Sequence, residues 1–151
     1  MTFRDRKAAG QQLASALAAY RDTGAVVLAL PRGGVPVAAE IAATLHAPLG
    51  LLIVRKLGVP RQPELAMGAV VSADPPVVVR NDAILALAQV SEAEFATVLE
   101  RELTEARRRI SRYMGEREQP PIAGRLVILV DDGIATGASM RAAVARRACG
   151  R

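Results

Sequence analysis

Leu126-Val127-Ile128-Leu129-Val130-Asp131-Asp132-Gly133-Ile134-Ala135-Thr136-Gly137-Ala138-Ser139 is the stretch on which the reading of this chain turns. An apolar run over 126–130, without polar alternation, is the strongest strand signal in the sequence and suits a strand buried inside a sheet. It stops abruptly at two adjacent carboxylates. Residues 131–137 then read as a loop and 138–147 as a helix. In open α/β sheets, ligands bind outside the carboxyl ends of strands, where the next helix begins. A helix start offers unpaired N–H groups and the positive end of a dipole, which suits a phosphate. Gly137 and the small Ala135 and Ala138 let backbone approach such a group, and Thr136 and Ser139 bring hydroxyl donors. Ordinary Ser/Thr capping accounts for one of those hydroxyls, but not for the paired acids and two glycines. Asp131 and Asp132 would repel a phosphate. They therefore suit another part of the same ligand, such as sugar hydroxyls, or a magnesium ion.

Working back toward the start, residues 25–30 are a second continuous apolar run, followed by the turn Pro31-Arg32-Gly33-Gly34. Residues 36–45 read as a helix with Pro36 in its first turn, and 51–54 as another buried strand. A strand–helix–strand unit of this kind implies a parallel pair. Residues 4–20 read as an amphipathic helix with Leu13 and Leu17 on its apolar face. Residues 55–66 contain prolines, a glycine and several charges, and read as a long mobile loop. Residues 67–71 and 77–80 suggest a hairpin, and 82–88 a short helix. Ser91 with Glu94 matches a capping box, opening a long helix that Gln119-Pro120-Pro121 should end.

The 151-residue length fits one domain, and about half the residues are hydrophobic (51%), enough for a core. Aromatics make up only 3%, so Ala, Val and Leu must build that core. The net charge of +5 favours anionic partners. The densest basic group, Arg107, Arg108, Arg109 and Arg112, follows Glu100, Glu102 and Glu105 and reads as a solvated helix face. Single-strand binders use aromatic stacking platforms, yet Phe3, Tyr20, Phe95 and Tyr113 do not cluster with the basic residues, which weighs against nucleic acid. Cys149 is the single cysteine and His46 the single histidine. An intrachain disulfide and Cys- or His-pair metal sites are therefore excluded. No apolar run approaches the roughly 20 residues that span a bilayer, and the opening residues are polar and charged, so a cytoplasmic protein without membrane partners is expected. Neither G-x-G-x-x-G nor G-x-x-x-x-G-K-[ST] is present, so dinucleotide and P-loop readings lack their motifs.

Residues 131–139, behind their apolar strand, resemble the 5-phosphoribosyl 1-pyrophosphate (PRPP) signature of type I phosphoribosyltransferases. Leu30-Pro31-Arg32-Gly33-Gly34-Val35 is similar to that family's pyrophosphate-binding turn. Val54-Arg55-Lys56-Leu57-Gly58-Val59-Pro60 resembles the basic start of its flexible loop. The likeness is greatest to a bacterial group of predicted phosphoribosyltransferases that share a VRKLGVP…ELAMGAV segment. The resemblance implies an α/β fold with a Rossmann-like parallel sheet, flanking helices and a hairpin. It implies transfer of the phosphoribosyl group from PRPP to a nitrogenous acceptor, with magnesium as cofactor. By the same resemblance Asp131 and Asp132 bind the ribose hydroxyls directly or through magnesium, and Ala135, Thr136, Gly137, Ala138 and Ser139 cradle the 5′-phosphate. Arg32, Gly33 and Gly34 bind pyrophosphate, often with an unusual cis peptide in relatives, and Arg55 and Lys56 approach it. Arg32, Lys56, Asp131 and Asp132 carry the catalytic roles, while the loop from Gly58 to Ala66 closes over the site.

The sequence also departs from the family. Gly133 replaces a usually apolar residue, Ala138 a frequent glycine, and Arg61 a frequent glycine of the loop. Ala135 stands where 6-oxopurine enzymes carry an aspartate, which speaks against that acceptor class. Relatives continue with about two more strands and an acceptor-covering segment, so the chain resembles a C-terminally truncated domain lacking the last strands. Apolar surface left uncovered that way should favour self-association into a homo-oligomer and lower turnover. The alternative function is a non-catalytic PRPP or nucleotide-binding regulator, because regulators have reused this fold.

Overall fold

The structure is a computed structural model and describes residues 2–73 and 75–133. In chain order it holds α1 (Arg6–Ala16), a short 3-10 turn (Ala18–Tyr20), β1 (Val26–Ala29), α2 (Gly34–Leu45), β2 (Leu49–Leu51), β3 (Val54–Val59), β4 (Gln62–Val71), β5 (Val77–Arg80), α3 (Asp82–Leu87), α4 (Glu92–Met114) and β6 (Val127–Val130). The final helix expected at 138–147 lies outside the described residues. Those residues fall into two compact units, one from 2–52 with 117–133, the other from 53–116. No helix among them is long and apolar enough to cross a membrane.

The first unit is a parallel sheet in the order β2-β1-β6. All four residues of β1 are buried, as its unbroken apolar run requires. Its register sets Val26 beside Val127 and Ala29 beside Val130, so the carboxyl ends of β1 and β6 are adjacent. The strand expected at 51–54 forms earlier, at 49–51. The amide of Gln119 completes its outer edge: Oε1 accepts from the Leu51 N–H and Nε2 donates to the Leu51 carbonyl, both at 2.9 Å. α2 packs on the sheet, and α1 packs on α2. The contact face of α1 differs from the expected one. Gly10 and Ala14 are buried, while Leu13 stays 39% exposed. A Cβ on Gly10 would lie 2.7 Å from Glu40 Cβ and 2.8 Å from the Val37 carbonyl, so small residues let the helices approach closely.

The second unit is an antiparallel sheet in the order β3-β4-β5, with α3 and α4 against it. β4 and β5 form the expected hairpin, pairing Gly68 with Arg80 and Val71 with Val77. The expected mobile loop at 55–66 is a second hairpin instead, in which β3 pairs with β4 from Val54↔Val71 to Val59↔Gln62. Leu57 and Val59 point into a core with Met67, Val70, Leu85, Phe95, Val98 and Leu103, and burial of that alternating pair overrides the proline and charge content. Pro63 sits where β4 pairs only with β3, beside a register shift at Gly58, so no interior ladder bond is lost to it. Arg80 lies with its guanidinium 4.5 Å above the Phe95 ring.

α4 opens with the expected capping box. Ser91 Oγ accepts from the Glu94 N–H, and Glu94 Oε1 accepts from the Ser91 N–H, both at 3.1 Å. Ser91→Ala should therefore cost about 1 kcal/mol in denaturant unfolding, and an unchanged midpoint would show the box to be ornamental. The helix ends at Met114 rather than at Gln119, because Gly115 leaves helical geometry at φ 60°. The basic cluster is a solvated face, as expected. Glu105 accepts from Arg108 at 2.8 Å and Arg109 at 3.0 Å, and these two guanidiniums hold its carboxyl down at about 2. His46 caps the end of α2 in the left-handed region, exposed, within 3.2 Å of Asp22.

Candidate functional site

The first unit brings together two segments about 100 residues apart that the sequence singles out separately. β1 ends at Ala29 and the chain turns through Pro31-Arg32-Gly33-Gly34 into α2, with Gly33 as its N-cap. β6 ends at Val130 and delivers Asp131 and Asp132 beside that turn. The backbone ties them: the Leu30 N–H donates to the Val130 carbonyl at 2.9 Å, and the Gly34 N–H to the Leu30 carbonyl at 3.1 Å. The peptide between Pro31 and Arg32 is cis, one bond before the expected Arg32–Gly33 turn.

The fit is close at both glycines, against backbone at Gly34 and against a side chain at Gly33. A Cβ on Gly34 would stand 2.6 Å from the Val130 carbonyl oxygen and 3.0 Å from Asp131 Cα. A Cβ on Gly33 would fall on the Asp132 carboxylate itself. Arg32 is exposed at this turn.

The two carboxylates differ electrostatically. Asp131 is partly buried, and this desolvation pushes its pKa up, opposed by the Asp132 N–H donating to its Oδ1 at 2.8 Å. Asp132 is held below the ordinary range, first by the Arg6 guanidinium. Arg6 Nε and Nη2 both donate to Asp132 Oδ2, at 3.0 and 2.8 Å. Arg6 escaped the sequence reading. It lies in the first turn of a surface helix, 126 residues from its partner, and no spacing rule connects the two.

The remaining expected site residues are not among the described residues of the first unit. Arg55 and Lys56 are on β3 in the second unit. Arg55 is partly buried and paired with Glu102, Nε at 2.8 Å and Nη2 at 2.7 Å. Lys56 is exposed, and its Nζ donates to the Glu64 carbonyl at 3.3 Å. Ala135, Thr136, Gly137, Ala138 and Ser139 lie outside the described residues. Among the described residues no group of three or more His, Cys, Asp and Glu side chains could hold a metal ion. A pair of hard oxygen donors nonetheless suits magnesium, which keeps several waters and takes few protein ligands alongside substrate phosphates.

This arrangement has counterparts in known proteins. The phosphoribosyl transferase domain family matches residues 4–146. Two Mycobacterium tuberculosis proteins, named "Putative phosphoribosyl transferase MT0597" (strain CDC 1551 / Oshkosh) and "Putative phosphoribosyl transferase Rv0571c" (strain ATCC 25618 / H37Rv), are each 49% identical over 141 residues. Those residues are 93% of this chain, which spans 31% of the length of these curated relatives. The crystal structure of TT1426 from Thermus thermophilus is similar with a TM-score of 0.77 and 42% identity, over 99% of this chain and 70% of that one. The Rossmann-like parallel sheet, the glycine turn against an acid pair and these matches agree: the chain belongs to the type I phosphoribosyltransferase family.

Proposed function

We propose that this chain carries the PRPP site of a phosphoribosyltransferase, an enzyme that passes the 5-phosphoribosyl group to a nitrogenous acceptor and releases pyrophosphate. The observation that carries this reading is the seating of the Arg32-Gly33-Gly34 turn directly against Asp131 and Asp132. PRPP is a sugar with hydroxyls on one side and a pyrophosphate at the anomeric carbon. A tight glycine turn that carries a cation suits the pyrophosphate, and adjacent carboxylates suit the hydroxyls.

Breaking the bond from the anomeric carbon to pyrophosphate builds positive charge on the ribose, as in glycoside cleavage. The protein's task is to hold both ends of the sugar, steady the leaving group and exclude water. Asp131 and Asp132 accept hydrogen bonds from the ribose hydroxyls, and they are the residues that would hold a magnesium ion. Arg32, at the Gly33-Gly34 turn, takes the pyrophosphate as it leaves. Magnesium bound with PRPP would supply further neutralisation of that leaving group. Lys56 and Arg55 are assigned to pyrophosphate, and Ala135, Thr136, Gly137, Ala138 and Ser139 to the 5′-phosphate, on the family resemblance alone. The acceptor is an amine or base nitrogen.

Calorimetric titration with PRPP and magnesium tests this reading, followed by an acceptor screen for pyrophosphate release. Hydrogen bonds to charged groups contribute about 1.5–3 kcal/mol, so Asp131→Asn and Asp132→Asn should each weaken binding roughly ten- to a hundredfold. Unchanged affinity in both variants would remove the assignment.

A further inference from the structure

We infer that Arg6 is a positioning residue of the PRPP site, acting on the ligand only through the carboxylate of Asp132. The inference rests on the PRPP reading above. The geometry behind it is local to the first unit. Asp132 is held at two points: its backbone N–H is tied to Asp131 Oδ1 at 2.8 Å, and Arg6 holds the carboxylate, which rests in the space that the missing Cβ of Gly33 leaves open. Nε and Nη2 of Arg6 converge on one oxygen, Oδ2. The pair therefore fixes the rotation of the carboxylate while leaving Oδ1 outside its grip, which is the arrangement of a brace rather than a plug.

The helix that carries Arg6 is itself anchored. Asp5 caps α1, with Oδ1 accepting from the Ala8 N–H at 2.7 Å. Gly10, four residues on and hence on the same face as Arg6, is buried against Val37 and Glu40 of α2. Arg6 is thus set from a helix docked on the same α2 whose first turn faces Asp132. A planar fork with two converging donors is a property of arginine; lysine keeps the charge but offers a point contact.

The pair is partly exposed, with side-chain exposures of 60% for Arg6 and 33% for Asp132, so its effect is modest. Titrating the 151-residue chain with PRPP and magnesium, Arg6→Ala should bind roughly fivefold more weakly, the upper end for such a pair. Arg6→Lys, which keeps the charge but not the fork, should recover only part of that loss. In an Asp132→Asn background, Arg6→Ala should add less than about twofold, because nothing is left to position. Thermal melting accompanies each variant, and Arg6→Gln replaces the alanine in the cycle if that variant melts early. Unchanged or tighter binding in the Arg6→Ala protein overturns the inference, as does a full fivefold penalty persisting beside Asp132→Asn. A wild-type chain that binds no PRPP removes both this inference and the reading beneath it. Wild-type binding that ignores Arg6 removes only the inference.

Discussion

Gly34→Ala is expected to destabilise the fold by about 2–3 kcal/mol, while Gly33→Ala next to it leaves stability nearly unchanged and impairs the ligand site. The difference lies in what each new methyl group meets. At Gly34 the obstacles are backbone: the Val130 carbonyl oxygen at 2.6 Å and Asp131 Cα at 3.0 Å. That carbonyl is fixed by the Leu30 N–H at 2.9 Å and by the parallel register of β1 with β6. It cannot retreat without breaking the sheet, so the cost should reach the upper end of the usual range of about 1–3 kcal/mol for overpacking. At Gly33 the obstacle is the Asp132 carboxylate, the far end of an exposed side chain that can swing away. Gly33 has φ −67° and ψ −29°, which any residue adopts, so alanine adds no backbone strain. The displaced carboxylate, however, leaves Arg6 and the ribose position together. PRPP affinity should then fall roughly ten- to a hundredfold, as for Asp132→Asn. Chemical denaturation beside calorimetry separates the two effects. Equal stability losses at both glycines would mean that Asp132 is as immobile as the strand behind it.

The parts of this architecture legible in the sequence were those written in short-range pattern. The apolar run of β1 is continuous because that strand is covered on both faces, whereas β6, expected inside the sheet, is the edge strand among the described residues and only half-buried over Val127, Ile128 and Leu129; the turn between β1 and α2 is marked by Pro31, Gly33 and Gly34. The Ser91–Glu94 box is a reciprocal bond between neighbours, so its letters suffice. Reading failed where a distant partner decides the outcome. Leu13 looks like the buried side of α1, but close docking on α2 selects Gly10 and Ala14. Arg6 looks like any surface cation until β6 brings Asp132 to it. The hairpin of β3 and β4 was hidden by Pro60, Pro63 and their charged neighbours, although Leu57 and Val59 already alternate with Lys56 and Gly58 at the period of a strand. The charges are accommodated around that core: Lys56 lies on the exposed side, Arg55 pairs with Glu102 of α4, and Arg61, in the turn between the strands, meets Glu94 of α4 at 3.4 Å. Composition suggested a loop, while alternation held the correct answer.

Leu57 gives that hairpin its sharpest test. The side chain is fully buried, in contact with a core that includes Met67, Val70 and Phe95. Truncating a buried leucine removes its transfer free energy and leaves a cavity that the surroundings refill only in part, at a cost of about 2–5 kcal/mol. Whole domains are stable by only about 5–15 kcal/mol, so Leu57→Ala should shift the urea midpoint strongly and sharply raise the unfolded fraction of the second unit at room temperature. Lys56→Ala, one residue away on the exposed side, should stay within about 0.5 kcal/mol of wild type. The contrast depends on the alternation of a paired strand. In a mobile loop both side chains would sit in water in the folded state as in the unfolded one, and neither truncation would register. Equal midpoints for the two variants would therefore return residues 55–66 to a loop. A large gap between them would establish that β3 is ordered without any ligand, and that the segment bearing Arg55 and Lys56 is part of the folded core rather than a flap that forms on binding.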